Sequence, residues 1–341
     1  MAIKAALLGF GTVGSAVYRL LDERANEIEQ LIGEKINVTH VVIKNQEKTR
    51  AIKDDTIITT DFFNVLETAD IDVVIEAIVG IEPALTYLCH SLKKGIPVVT
   101  ANKALFSQKA DVLKSAADGR APIGFEATVA GGVPIIRTLT DLLTVNRVSK
   151  VEGILNGTAN FILTDMRVNG RAFNDSLKLA QEKGYAEANP ESDILGIDAF
   201  YKLMILCDTV FGEQPDWEKV GRQGIDQVQL SDLREAEKAG KRLKLIAHAE
   251  RAACGEIQAQ VIPTFVTSSH PLYGVEGVDN AITVHTDLLG ELTLKGPGAG
   301  GNPTGSAMIE DLVRLFAGQR IDRTGDNTKP EHPVLVGGRG R

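Results

Sequence analysis

The chain has 341 residues, 43% of them hydrophobic and 24% charged, which suits about two soluble globular domains and excludes disordered, collagen-like and low-complexity classes. Its 37 Lys and Arg against 45 Asp and Glu leave a net charge of −8 with no basic block, so no nucleic-acid partner is expected. No apolar run reaches the ~20 residues that cross a bilayer, so no membrane partner is expected either. In chain order, residues 3–8 are a short apolar run without a charged leader, read as a strand and not as a signal peptide. Residues 9–14 form a Gly-rich turn, and residues 13–32 carry Val17, Leu20, Leu21, Ile28 and Leu31 at helical spacing. Residues 38–43 are β-branched and predict a second strand; residues 72–77 and 97–100 predict two more, separated by helical stretches over 83–92 and 105–117. Strands alternating with helices at this spacing imply a parallel sheet covered on both faces, which explains why its strands are continuously apolar.

The pattern changes near Gly131-Gly132. Residues 145–155 predict a strand, residues 172–182 and 194–211 predict helices, and residues 257–294 are strand-rich, together a second, mixed domain. Residues 296–305 are dense in Gly and Pro and are expected to break regular structure. A helix over 306–316 closes the fold, and residues 325–341 read as a loose tail. The three cysteines, Cys89, Cys207 and Cys254, are widely spaced and fit a reducing, cytoplasmic setting. The six histidines are scattered without transition-metal spacing.

Gly9-Phe10-Gly11-Thr12-Val13-Gly14 fits G-x-G-x-x-G between a predicted strand and a predicted helix, the context that makes the motif a dinucleotide site. Glycines let the backbone approach a pyrophosphate, and the N–H groups of the helix start meet its charge. The alternative is a tight turn with no ligand. The expected fold is therefore α/β: a Rossmann-type dinucleotide-binding domain, 1–130 plus 303–341, and a mixed α+β second domain, 131–302. After the second strand, Val42-Ile43-Lys44-Asn45 carries a base where an NAD-binding chain has an acid. Lys44 thus favours NADP through its 2′-phosphate, with NAD as the alternative and a solvated surface lysine as the bland reading.

Asp198 and Lys202 lie four apart on one face of a predicted helix that also carries Leu195, Ala199, Leu203, Leu206 and Val210. Charged residues on so apolar a helix are paired or functional; the competing reading is a surface salt bridge. The stretch from Ala180 to Leu203, with Gly184-Tyr185-Ala186-Glu187 and Gly196-Ile197-Asp198-Ala199-Phe200-Tyr201-Lys202, resembles the signature of homoserine dehydrogenase. Thr100-Ala101-Asn102-Lys103, Phe125 to Pro134, Gly153 to Thr158 and the turn at 296–305 resemble the same family, in order along nearly the whole chain. Asn189 and Lys44-Asn45 depart from it, where many members have Asp and Arg-Asp.

The resemblance implies reversible NAD(P)H-dependent reduction of L-aspartate 4-semialdehyde to L-homoserine, on the route to threonine and methionine. It implies Lys202 as acid/base with Lys103 beside it, because the alkoxide left by hydride transfer needs a proton. Glu187 and Asp198 would meet the substrate ammonium, Asp193 would orient the cluster, and Gly184 would contact substrate and cofactor. Thr100, Lys103 and Gly301 would join Gly9 to Gly14 and Lys44 around the cofactor. Glu126, Val129, Gly131 and Val133 match a loop that binds a monovalent cation, commonly Na⁺, where the sequence alone reads an interdomain hinge. A homodimer, and a short form without the C-terminal amino-acid-sensing domain of longer members, are also expected. Two rivals remain: another oxidoreductase of a small amino or hydroxy acid, and a non-catalytic NADPH-binding sensor.

Overall fold

The computed structural model describes residues 2–317. They form two compact units, one running to Ala127 and resuming at Gly300, the other Thr128–Ala299. In the first unit, β1 (Ile3–Leu8) runs through the glycine turn into α1 (Thr12–Glu23), and α2 (Ala25–Ile32) follows at once. The single helix expected over 13–32 is thus two, because the backbone leaves helical geometry at Arg24 (φ −109°, ψ 18°). The apolar spacing continues across the break and hides it: Val17, Leu21 and Ile28 are buried, whereas Leu31 is exposed.

Next come β2 (Ile36–Val42), β3 (Ile57–Thr59), α3 (Phe62–Thr68), β4 (Val73–Glu76), α4 (Ala84–Lys93), β5 (Val98–Thr100), α5 (Lys103–Ala117) and β6 (Ile123–Gly124). All six strands are parallel, in the order β3-β2-β1-β4-β5-β6. This is the Rossmann order, two mononucleotide halves meeting where β1 lies beside β4, and it opens a crevice outside the carboxyl ends of the strands there. Ala5, Leu7, Val41, Val73 and Ile75 are buried on one face of the sheet and Ala6, Leu8, Val42 and Val74 on the other, as a covered parallel sheet requires.

The second unit contains α6 (Ile135–Leu142), β7 (Val148–Ile154), α7 (Gly157–Asn169), α8 (Phe173–Glu182), α9 (Glu191–Ile194), α10 (Ile197–Phe211), β8 (Gly221–Arg222), α11 (Leu230–Lys238), β9 (Lys241–Arg251), β10 (Ile257–Thr267), β11 (Asp279–Thr286) and β12 (Gly290–Pro297). Its six-stranded sheet has the order β12-β11-β7-β9-β10-β8, antiparallel except where β8 meets β10. The helix expected over 194–211 is divided at Gly196, whose φ of 72° no helix continues through. Leu203 to Cys207 are all buried, so α10 is apolar around its circumference and sits inside the unit.

Helix α12 (Gly301–Ala317), the last among the described residues, corrects the break expected over 296–305. Strand β12 runs through Gly296 and Pro297, and α12 opens with Pro303 in its first turn, where the missing N–H costs nothing. Its Ala307, Met308, Leu312 and Phe316 join Val17, Leu21 and Ile75 in the core of the first unit. The tail expected at 325–341 lies outside the described residues. Among the described residues no helix is long and apolar enough to cross a membrane.

Candidate active site

The glycines of the β1–α1 turn have different tasks. Gly9 has φ +90°, and a Cβ there would lie 2.7 Å from the Ala77 carbonyl oxygen; a Cβ on Gly14 would lie 2.2 Å from that of Gly9. Gly11 faces open space and stands at the N-cap of α1, where no side chain caps the helix. The first N–H groups of α1, at Thr12, Val13 and Gly14, therefore face a space that suits a pyrophosphate. Phe10 packs edge-on against Tyr18. A cavity of about 870 Å³ adjoins the turn, lined by Phe10, Thr12, Arg19, Lys53, Gly301 and Asn302. Gly301 backs α1 closely, since a Cβ on it would lie 3.0 Å from the Thr12 carbonyl oxygen.

Lys44 is exposed just beyond β2, and Arg50 folds the loop that carries it by donating to the carbonyls of Asn45 and Lys48, both at 2.7 Å. Thr100 ends β5, fully buried, and its hydroxyl donates to Glu76 at 2.5 Å. Lys103 is the half-buried first residue of α5, a helix capped by the Asn102 side chain, which accepts from Leu105 N–H at 3.1 Å.

In the second unit, Lys202 and Asp198 are 6% and 3% exposed, which excludes a solvated surface pair. Lys202 Nζ donates to Asp198 Oδ2 and to the Leu155 carbonyl, each at 2.7 Å. Asn156 Nδ2 donates to Asp198 Oδ2 at 2.9 Å and to Asp193 Oδ1 at 2.7 Å. Its Oδ1 accepts from Ala159 N–H at 2.7 Å and so caps α7. The buried Asn280 donates to the same Leu155 carbonyl at 2.9 Å. Two ionised groups out of water need this density of partners, because desolvation otherwise outweighs their attraction. Asn156 and Asn280 were not singled out in the sequence. For Asn156 a signal existed, an Asn directly before Gly157-Thr158 at a helix start.

Hydrogen bonds join Asp193, Asp198 and Lys202 through Asn156, and Glu187 stands outside that network. Glu187 is exposed on the loop after α8, where its carbonyl accepts from Gln181 at 3.1 Å. Gly184, also exposed, turns that loop at φ +72°. Thr158 Oγ1 donates to the Tyr185 carbonyl at 2.6 Å and so ties the loop to the first turn of α7.

Glu126 is buried in the first unit, and its N–H donates to Asp311 Oδ2 at 2.9 Å. Val129, Gly131 and Val133 belong to the second unit and are buried. Ala130 and Gly131 both adopt left-handed backbone, at φ 54° and 55°. For alanine this costs on the order of 1–3 kcal/mol, and such strain gathers at functional loops. Among the described residues no three His, Cys, Asp or Glu side chains are grouped to hold a metal. Backbone oxygens of this loop suit a hard monovalent cation in kind. Burial pushes the Cys207 thiol up to about 12 and that of Cys89 upward, so neither is an activated nucleophile.

Residues 134–313 match the family model for homoserine dehydrogenase, and residues 9–121 match that for the homoserine dehydrogenase NAD binding domain. The chain is 38% identical over 328 residues to the homoserine dehydrogenase of Bacillus subtilis, covering 96% of itself and 76% of that protein. It is 37% identical to that of Lactococcus lactis, covering 92% of itself and 74% of the relative. The crystal structure of a homoserine dehydrogenase from Thiobacillus denitrificans superposes with a TM-score of 0.89 at 40% identity, over 97% of this chain and 76% of that one. A hyperthermophilic archaeal homoserine dehydrogenase in complex with NADPH superposes with a TM-score of 0.79 at 30% identity, over 92% and 98% of the two chains. With a nicotinamide-dinucleotide fold in one unit and a buried acid–lysine network in the other, the chain belongs to the homoserine dehydrogenase family.

Proposed function

We propose that this protein catalyses the reversible reduction of L-aspartate 4-semialdehyde to L-homoserine, with NADPH preferred to NADH, in the cytoplasmic synthesis of threonine and methionine. The observation that carries this reading is Lys202, a buried ammonium whose Nζ is aimed by Asp198 and the Leu155 carbonyl. The dinucleotide, when bound, supplies the hydride to the aldehyde carbon or accepts it back. Lys202 hands a proton to the alkoxide oxygen in reduction and takes one from the hydroxyl in oxidation. Lys103 lines the same site. Asp198 and Glu187 take the substrate ammonium, and Asp193 is held to the cluster through Asn156. Gly184 offers its backbone to substrate and cofactor.

Gly9 to Gly14, Thr100, Lys103 and Gly301 hold the dinucleotide, and Lys44 meets the 2′-phosphate. Support for NADPH comes from the basic residue after β2 and from the archaeal relative solved with it. Glu126, Val129, Gly131 and Val133 hold a monovalent cation, taken as Na⁺; the left-handed Ala130-Gly131 turn supports this. The cofactor domain is 1–130 with 303–341, the substrate domain 131–302, and the latter pairs two copies into a homodimer.

Absorbance at 340 nm with L-homoserine and either NADP⁺ or NAD⁺, with and without NaCl, tests the reading. Faster turnover with NADP⁺, raised by Na⁺, is the expected result. Turnover with NAD⁺ alone would remove Lys44 from the cofactor site. No turnover from folded, cofactor-binding protein would reject the activity.

A further inference from the structure

Glu76 is the last residue of β4, fully buried, and its register partner Thr100 is the last residue of β5. Every polar neighbour donates to its carboxyl. Oε1 accepts from Ile78 N–H at 2.6 Å and from Asn102 Nδ2 at 3.5 Å. Oε2 accepts from the Thr100 hydroxyl, which itself accepts from Asn102 N–H at 3.0 Å and so must direct its own proton to Glu76. Asn102 Nδ2 also donates to the carbonyls of Ile78 at 3.1 Å and Gly80 at 2.7 Å. The result ties the end of β4, the loop after it and the start of α5 into one unit.

A pocket of donors suits a carboxylate, which only accepts. Yet no cationic side chain forms an ion pair with Glu76 among the described residues. Burial pushes its carboxyl up, to about 7, against the pull of Thr100, Ile78 and Asn102. A buried carboxylate without a countercharge is costly for a fold to retain.

The sheet order shows where a countercharge would arrive. The pyrophosphate turn follows β1 and the ribose position follows β2, so β4, β5 and β6 serve the nicotinamide half of the crevice. Oxidised nicotinamide is a cation, and reduced nicotinamide is neutral. We propose that Glu76 sets the balance between the two cofactor forms: its buried carboxylate, at the strand ends that serve the nicotinamide half, favours the oxidised ring, while its hydrogen bonds position those strand ends.

This rests on the cofactor reading above. The test is the dissociation constants of NADP⁺ and NADPH, measured by calorimetry and by NADPH fluorescence at pH 8, for wild type, Glu76→Gln and Glu76→Asp. Glu76→Gln should raise the ratio Kd(NADP⁺)/Kd(NADPH) by roughly tenfold, as expected of one charge acting across several ångströms of partly polar protein. Glu76→Asp keeps the charge and should weaken both forms alike. If Glu76→Gln does not fold, Glu76→Met removes the charge without adding a donor among donors, and the same rise is expected. A neutral variant with an unchanged ratio would overturn the proposal and leave Glu76 a structural tie. Failure of the wild type to bind either form would instead overturn the cofactor reading.

Discussion

An ammonium taken out of water loses several kcal/mol of hydration, and Lys202 regains it from a carboxylate and a carbonyl set by two separate stretches of chain. Lys202→Ala should lower kcat by ~10²–10⁴ while the dissociation constant for NADPH stays within twofold, the usual cost of losing a general acid. Unchanged turnover in steady-state assays would remove Lys202 from the chemistry. Glu152 on β7 shows a different economy. It is buried, and Lys150 Nζ, His285 Nε2, His270 Nε2 and His248 Nδ1 stand 3.1, 3.4, 3.5 and 3.8 Å from its oxygens. Burial raises its proton affinity, and His248, Lys150 and His270 overcome that and hold the carboxyl at about 2, from an ordinary 4.5. A carboxyl depressed by folding stabilises the fold above its unfolded pKa and loses that contribution as pH falls through its folded one. Urea midpoints of the wild type should therefore fall from pH 4.5 toward pH 2 more steeply than those of Glu152→Gln. Parallel curves would show that the basic ring around Glu152 contributes nothing.

The element with the narrowest tolerance is the β1–α1 turn. Gly14→Ala places a methyl 2.2 Å from the Gly9 carbonyl oxygen, so the turn must open and carry the α1 N-terminus with it. We expect NADPH affinity to fall by roughly tenfold or more, about 1.4 kcal/mol, with little change in far-ultraviolet circular dichroism. Wild-type affinity would mean that the turn does not hold the pyrophosphate. This turn was legible in the sequence because an apolar run, three glycines and a helical period stand next to one another. The Asp198–Lys202 pair was legible because its spacing is local. The split at Arg24 was not, since Val17, Leu21 and Ile28 keep period across it and no Gly or Pro marks it. The start of α12 was hidden by the opposite error, since Gly and Pro break helices inside but are tolerated in a first turn. The network around Lys202 joins residues 37, 42 and 47 positions apart, and no periodicity carries such contacts.

Across the whole molecule, a ligand that binds one folded unit should raise the stability of that unit. NADPH at a hundred times its dissociation constant should stabilise the first unit by ~2.7 kcal/mol, visible in differential scanning calorimetry as an upward shift of its transition. A thermogram indifferent to NADPH would contradict cofactor binding there.

The return of α12 to the first unit has a consequence for how the chain is made. Val17 and Leu21 pack against Met308, Leu312 and Phe316, which leave the ribosome only after the whole of Thr128–Ala299. Thr128–Ala299 is continuous and can close on itself first. Synthesis therefore runs against the usual N-terminal-first order. The sheet of the first unit waits, with one flank open, for α12. A nascent chain stalled before residue 300 would present that apolar flank to chaperones, and one released after residue 317 would not.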